Sequence, residues 1–507
     1  MTPVRERVER DYQSLLEILS RAGHDVRLER ARQVYANRDV SLSEIDAVGF
    51  DMDYTLALYN QAELDALSVA KTLERLVSER GYPEHILDIE PDPDFAIRGL
   101  VIDKEHGNIL KVDAGRRVTK AYHGLRAVDQ LDRYEYGREA IRQNGGRYHL
   151  IDTLFALPEA FLYAALIHKF EARDGGVPVS YYQLFEDIRY CIDLAHRDRS
   201  LKDAIMADVA RYIGRDDRMA SALHKFRSTG KKLFLMTNSG HEYTHAVMSY
   251  LLDGRLREYP SWRNYFDIVV TAATKPIFFT GRRPFLELDD HGKITGQADG
   301  SLDRGTVYQG GNLTDFEAWT GWASNRIAYI GDHIYGDILK SKKISAWKTV
   351  MIIQEMTDEL RDPDKYREQI LKVRALEEEL HRTTQELVYE SHMGHRVQGV
   401  LTSDDAELDA GSLEELKRAA LELRKSTERL KRERRGIIAD LMELDREIEA
   451  NFNPYWGLIF KAGNEHSVFA SQVELYADLY TSAVSNFLNY SPNQYFRAPR
   501  DVMPHEL

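Results

Sequence analysis

Five short apolar runs punctuate the first two thirds of the chain: Ala47 to Phe50, Lys232 to Met236, Phe266 to Thr271, Ile327 to Ile330 and Thr349 to Ile353. Each is bounded by polar or glycine-containing segments. Strands apolar on both faces and separated by helix-length stretches imply crossover connections. The pattern therefore predicts a mostly parallel sheet with helices on both sides, a Rossmann-like α/β core. About 180 residues separate the first run from the second, far more than a usual connection. A folded insert is expected there. It holds a strand-like RGLVID, a turn at Gly107-Asn108 leading into ILKVD, and helical stretches around Thr153 to Phe170 and Tyr181 to His196. We read it as a cap domain over the sheet.

From Tyr366 to Ile448 the texture changes to charged helices. Leu413, Leu416, Ala420, Leu423, Thr427, Leu430, Arg434, Ile437, Leu441, Leu444 and Ile448 alternate spacings of three and four, a heptad seam with two polar interruptions. Ser412 with Glu415 reads as a capping box. Tyr366, Ile370, Val373, Leu380 and Leu387 suggest a partner helix, with the turn between Gly394 and Gly411. The expected organisation is residues 1–59 for N-terminal helices and the first core strand, 60–225 for the cap, and 226–360 for the rest of the core. An antiparallel helical hairpin at 361–450 and a segment packing back on the core at 451–507 complete it.

Composition narrows the function. The 507 residues are 43% hydrophobic and 30% charged, ordinary globular usage. A net charge of −14 disfavours generic nucleic-acid binding, so an anionic substrate needs a local cluster or a metal. The single cysteine, Cys191, fits a reducing compartment and excludes cysteine-held zinc. MTPVRERVERDYQ lacks the apolar core of a secretory signal and no stretch reaches the ~20 apolar residues of a membrane span, so a cytoplasmic protein without membrane contact is expected.

The chemistry lies at the strand ends. In FDMDYTL, Asp51 and Asp53 follow the first run. Carboxylates two apart project to one side, into the crevice where open α/β sheets bind ligands. Such a pair repels unless a cation sits between its members, and few hard oxygen ligands suit Mg²⁺ with a phosphate. The second run ends in MTNSG, whose Thr237, Asn238 and Ser239 offer hydroxyl, amide and backbone donors to an anion. The third leads to TKP with Lys275, and the fourth ends in YIGDHIYGD with Asp332 and Asp337.

This order resembles the four motifs of the haloacid dehalogenase superfamily, mainly phosphohydrolases. The resemblance implies that Asp51 attacks phosphorus to form an aspartyl-phosphate and that Asp53 protonates the leaving oxygen. Thr237, Asn238, Ser239 and Lys275 would bind phosphate. Asp51, Asp53 through its backbone carbonyl, and Asp332 would hold Mg²⁺, with Asp337 ordering metal-bound water or Lys275. FDMDYTLALY, RGLVIDKEHGNILKVD, FLMTNS, YFDIVV with KPIFF, YIGDHIYGDILKSKK, VFASQVELYADLY and MPHE are further similar, in order, to cytosolic purine 5′-nucleotidases preferring IMP and GMP. That resemblance implies a purine nucleoside monophosphate substrate, base recognition by Arg98, Asp103 and Lys111, and phosphotransfer to nucleosides. It also implies a homo-oligomer, dimer or tetramer, and an effector site at Gln472 and Tyr476, where Tyr335 departs from the family phenylalanine.

Three other readings compete. A sugar phosphate would use the same sheet motifs. HEYTH, His241 to His245, matches the H-E-x-x-H zinc peptidase pattern, but it fixes three residues in a chain with 17 histidines and has no evident third ligand. A non-catalytic scaffold is opposed by the presence of every catalytic side chain.

Overall fold

The structure is a computed structural model and describes residues 28–499 except 129–135, 137–140, 142–145, 173–175, 361–366, 403–408, 450 and 464. The N-terminal helices expected within 1–27, Tyr366 and the terminal MPHE lie outside the described residues.

The parallel part of a ten-stranded sheet comprises β1 (Ala47–Phe50), β2 (Lys232–Met236), β3 (Ile268–Thr271), β4 (Val307–Gly310), β5 (Ile327–Gly331), β6 (Lys348–Ile352) and β7 (Leu479–Thr481). Their spatial order is β7-β6-β5-β1-β2-β3-β4, with every neighbouring pair parallel. Tyr35–Ala36 closes one edge antiparallel to β7, and the hairpin of Phe285–Leu288 and Ile294–Gln297 closes the other against β4. This is the α/β core the apolar runs predict. The third run begins two residues late as a strand, and just before it the Asp267 carboxylate accepts from the Leu233 N–H (2.9 Å) and the Arg227 guanidinium (2.7 Å). β4 and β7 escaped the pattern, being short and carrying polar residues.

β1 occupies the middle, its Val48 facing Leu233 of β2 and Ala328 of β5. All four β1 residues are buried, as expected of a strand covered on both faces. Gly49 leaves room for a ring from β2: a Cβ there would lie 2.1 Å from Phe234 Cζ.

Between β1 and β2 lie α1 (Gln61–Arg80), α2 (Leu157–Glu171) and α3 (Tyr181–Arg197). With them is a five-stranded antiparallel sheet ordered Arg126–Ala127, Val118–His123, Asn108–Val112, Val101–Asp103, Tyr148–Leu150. Asn108 already belongs to a strand, so the turn closes at Gly107, whose φ of 70° suits glycine. After β2 comes α4 (His241–Leu252).

The hairpin pairs α5 (Arg367–Leu401) with α6 (Ala410–Glu449). Leu430, Ile437, Leu441 and Ile448 of the seam are buried, as are Thr383 and Leu387 of α5. Two expectations shift. α5 continues through Gly394 and Gly399, so the connection is narrower than the segment from Gly394 to Gly411. The cap of α6 is Asp409, not Ser412: its carboxylate accepts from the N–H groups of Gly411 (2.8 Å) and Ser412 (3.0 Å). After the hairpin, α7 (Val468–Tyr476) precedes β7. No helix among the described residues is long and apolar enough to cross a membrane.

Gly49→Ala should lower stability by about 1–3 kcal/mol or more through overpacking against Phe234, read as a lower urea midpoint. A second expectation concerns Asp65, buried on α1. Desolvation pushes its carboxyl up to about 7, partly offset by the hydrogen bond from Gln61 (2.7 Å). Its native pKa lies above the unfolded value, so stability falls as pH rises from about 4 to about 7, and the loss is complete above that window. Asp65→Asn stays neutral and should raise the unfolding free energy read from urea titration at pH 8 by on the order of 1–3 kcal/mol, with little effect below pH 4.

Candidate active site

The loops leaving β1, β2, β3 and β5 converge at the carboxyl edge of the sheet. Asp51 directly follows β1; its N–H donates to the Ile330 carbonyl (2.8 Å) and its Oδ1 accepts from the Met52 N–H (2.8 Å). The Lys275 ammonium lies 2.9 Å from Asp51 Oδ1 and 2.7 Å from Asp337 Oδ1. It also donates to the Tyr329 hydroxyl (2.8 Å), which donates onward to the Met236 carbonyl (3.0 Å). Three partners satisfy the three ammonium protons. Asn238 holds the Lys275 loop, accepting from the Lys275 N–H (2.6 Å) and donating to its carbonyl (3.0 Å).

Backbone strain collects here. Tyr54 (φ 53°), Ala272 (φ 44°) and Thr274 (φ 57°) are left-handed non-glycine residues in the loops after β1 and β3. Asp337 lies on a π-helical turn, Ile334–Leu339, a wide turn often found at functional sites. It packs so closely on β5 that a Cβ at Gly331 would lie 2.7 Å from it.

Asp51, Asp332 and Asp337 are buried, and each offers an oxygen within 4.8 Å of the others. Burial pushes the Asp51 carboxyl well up; Lys275 opposes this, while Asp337, Asp53 and Asp332 reinforce it. Burial, reinforced by Asp337, pushes Asp332 up to about 7. Burial disfavours the Lys275 ammonium, but Asp337 and Asp51 outweigh it and hold its pKa well above the usual value. Three buried carboxylates against one ammonium leave negative charge in excess, and clustered hard oxygens suit a divalent cation. The donor set therefore fits a metal. The Asp53 carboxylate is not in this group: it accepts from Tyr59 (2.6 Å) and Ser239 (2.8 Å).

These groups line a cavity of about 290 Å³ together with Phe155, His196 and Lys202. An acidic cluster suited to a divalent cation, in a cavity with a partly apolar lining, can take a phosphate ester.

A model of the 5′ nucleotidase family matches residues 34–507. The chain belongs to that family. As a member it is an enzyme, a phosphoric monoester hydrolase. It is 30% identical over 484 residues to a 5′-nucleotidase domain-containing protein of Dictyostelium discoideum, covering 94% of this chain and 75% of that protein. It is 30% identical over 491 residues to 5′-nucleotidase domain-containing protein 2 of Rattus norvegicus, covering 93% and 80%. Among solved structures it resembles CbbY from Rhodobacter sphaeroides in complex with phosphate (13% identity, TM-score 0.23, 61% of this chain and 86% of that one). It also resembles 2-haloacid dehalogenase from Pseudomonas syringae (12% identity, TM-score 0.21, 61% and 86%).

Within this 5′-nucleotidase, Asp51, Asp53, Asn238, Ser239, Lys275, Asp332 and Asp337 share the cavity. Thr237 lies behind its wall, buried, with Oγ1 accepting from the Ser239 N–H (3.0 Å). The expected base-reading set is not brought there. Arg98 is buried and forked onto Glu355 (both 2.7 Å), with a third bond to the Asp332 carbonyl (2.8 Å). Asp103 accepts from Arg147 (2.9 and 2.6 Å) and Tyr136 (2.7 Å). Lys111 donates to the carbonyls of Trp456 and Leu458. A charged side chain on or beside a strand can serve as a buried strut, and sequence spacing does not separate that role from ligand reading. Gln472 and Tyr476 lie on α7, where the Lys343 ammonium sits over the Tyr476 ring (5.7 Å) and Tyr335 is exposed.

HEYTH opens α4, but Glu242 is exposed and paired with Arg199 (2.7 Å), and His245 accepts from the Trp262 indole (3.1 Å). No metal-ligand group includes these histidines among the described residues. Sequence reasoning missed Tyr59, Tyr243 and Tyr329. A period-two reading of β5 would have turned Tyr329 to the same side as Ile327, and nothing local marks Tyr59 and Tyr243.

Lys275→Met removes the counter-charge of Asp51 and Asp337. In chelator it should cost about 3–5 kcal/mol in urea unfolding, part of it recovered on adding a divalent cation.

Proposed function

We propose that this chain is a Mg²⁺-dependent 5′-nucleotidase. It hydrolyses purine nucleoside 5′-monophosphates, IMP and GMP, to nucleoside and phosphate through an aspartyl-phosphate on Asp51. The observation that carries this reading is the meeting of Asp51, Asp332, Asp337 and Lys275 at the ends of β1, β3 and β5.

Asp51, Asp332 and Asp337, with the Asp53 carbonyl, would hold Mg²⁺, which when bound supplies positive charge to the phosphoryl oxygens. The protein's own groups do the rest. A carboxylate oxygen of Asp51 attacks phosphorus as the ester bond breaks. Lys275 neutralises charge on the equatorial oxygens and keeps Asp51 oriented. Asp53 gives its proton to the departing oxygen, then takes one from the water that cleaves the aspartyl-phosphate.

Base recognition falls to Phe155, His196 and Lys202, which line the cavity, rather than to Arg98, Asp103 and Lys111. The Phe155 ring offers a stacking face, and Lys202 can donate to a 6-oxo group. Burial and Lys202 hold the His196 imidazole below its usual pKa, so it presents one donor and one acceptor. The same reading includes phosphotransfer when a nucleoside replaces water, a homo-oligomer, a cytoplasmic location and effector control near Gln472 and Tyr476.

Phosphate release from IMP, GMP, AMP, pyrimidine nucleotides and sugar phosphates, in Mg²⁺ or in chelator, tests the proposal. IMP and GMP should lead and chelator should abolish turnover; a faster sugar phosphate would replace the substrate assignment. Asp51→Asn should lose turnover with an unchanged unfolding midpoint, since it removes the nucleophile and keeps the shape.

A further inference from the structure

We infer that the hydroxyls of Tyr59 and Tyr243 form a relay that positions the Asp53 carboxyl as the acid protonating the leaving oxygen. The inference rests on the proposed phosphate-ester hydrolysis and adds positioning residues to it.

Tyr59 donates to Asp53 Oδ1 (2.6 Å), and its oxygen lies 2.7 Å from the Tyr243 hydroxyl. With the Tyr59 proton committed to Asp53, Tyr243 is the donor of the second bond. Ser239 donates to the other carboxylate oxygen, Oδ2, at 2.8 Å. The carboxyl is therefore held from both sides, and a chain of hydroxyls polarises along its length. Both rings are fixed. Tyr59 packs on Tyr54 (4.9 Å between centroids) and Phe155 (5.7 Å), and both tyrosines are buried.

Two parts of the chain supply the three groups, Asp53 and Tyr59 lying six positions apart and Tyr243 lying 184 positions beyond Tyr59. Asp53 is in the loop after β1. Tyr59 pairs with Ile213 near the end of the insert, and Tyr243 is on α4. These bonds go to Asp53 or between the tyrosines, whereas the nucleophile and the phosphate-facing ammonium are held by Met52, Tyr329 and Asp337. The relay thus serves the acid and not the nucleophile.

That division has a chemical signature. When an alkyl phosphate reacts, the Asp51–phosphorus bond forms, the phosphorus–ester oxygen bond breaks, and the Asp53 proton moves to that oxygen, which leaves as an alcohol. In the second half, water attacks phosphorus, its proton passes to Asp53, the phosphorus–Asp51 bond breaks, and phosphate departs. A nitrophenolate leaves as a stable anion and needs no proton, so a misplaced Asp53 slows alkyl and not aryl esters. kcat/KM isolates this first half, because it is blind to the later breakdown of the aspartyl-phosphate.

Tyr59→Phe and Tyr243→Phe keep both rings and remove one hydroxyl each. For the preferred nucleoside monophosphate, Tyr59→Phe should lower kcat/KM about 10–100-fold, and Tyr243→Phe should lower it less. With p-nitrophenyl phosphate both variants should stay within about twofold of wild type. Across a series of alkyl and aryl phosphates, dependence on leaving-group pKa should steepen. Equal losses on both ester classes, or an unchanged rate on the nucleotide, would overturn the relay. If Tyr59→Phe does not fold, Tyr243→Phe alone decides by the same comparison. Wild-type enzyme that prefers a sugar phosphate would correct the substrate, and the comparison is then made with that alkyl ester.

Discussion

One buried ammonium allows three carboxylates to share the floor of a cavity. Lys275 bridges Asp51 and Asp337, and its third proton goes to Tyr329. A like-charged cluster cannot be buried without such compensation, since the desolvation of each carboxylate costs several kcal/mol. Much of the surrounding architecture keeps that nitrogen in place. Asn238 clamps the loop backbone, Ala272 and Thr274 take left-handed conformations to turn the chain inward, and Tyr329 is anchored to the end of β2. The central sheet serves the same end by delivering loops from neighbouring strands to one point.

The insert is tied to this floor rather than merely resting on it. Arg98 precedes its sheet, yet its guanidinium is forked onto Glu355 after β6 and caps the carbonyl of Asp332. Lys111, from the same sheet, reaches the carbonyls of Trp456 and Leu458 beyond the helical hairpin. Both are bonds to buried charge, stronger than neutral ones and costly to leave unmade. They fix the register between insert, core and C-terminal segment.

How far the sequence could be read follows from these facts. The strands buried on both faces were legible because burial leaves a continuous apolar run, as in Ala47 to Phe50 and Lys232 to Met236. The residues at their ends were legible because strand ends concentrate chemistry. Arg98, Asp103 and Lys111 were misplaced because Glu355, Tyr136 and Leu458, which bind them, lie 257, 33 and 347 positions away, and no local signal reports such pairing. Tyr59 and Tyr243 were invisible for the same reason: 184 positions separate them. The start of α6 was misread because Ser412 has cap chemistry of its own, but Asp409 offers a carboxylate that takes two N–H groups.

The order in which the sheet is assembled differs from the order in which it is made. β1 is made before both of its neighbours, β2 and β5, which begin at Lys232 and Ile327. The edge strand Tyr35–Ala36 waits longer still, for Leu479 and Tyr480. Pairings so distant in sequence form slowly, and until they form an apolar strand is left without partners. A nascent chain of this protein therefore carries an apolar strand with at least one unpaired edge until Ile327–Gly331 has been made.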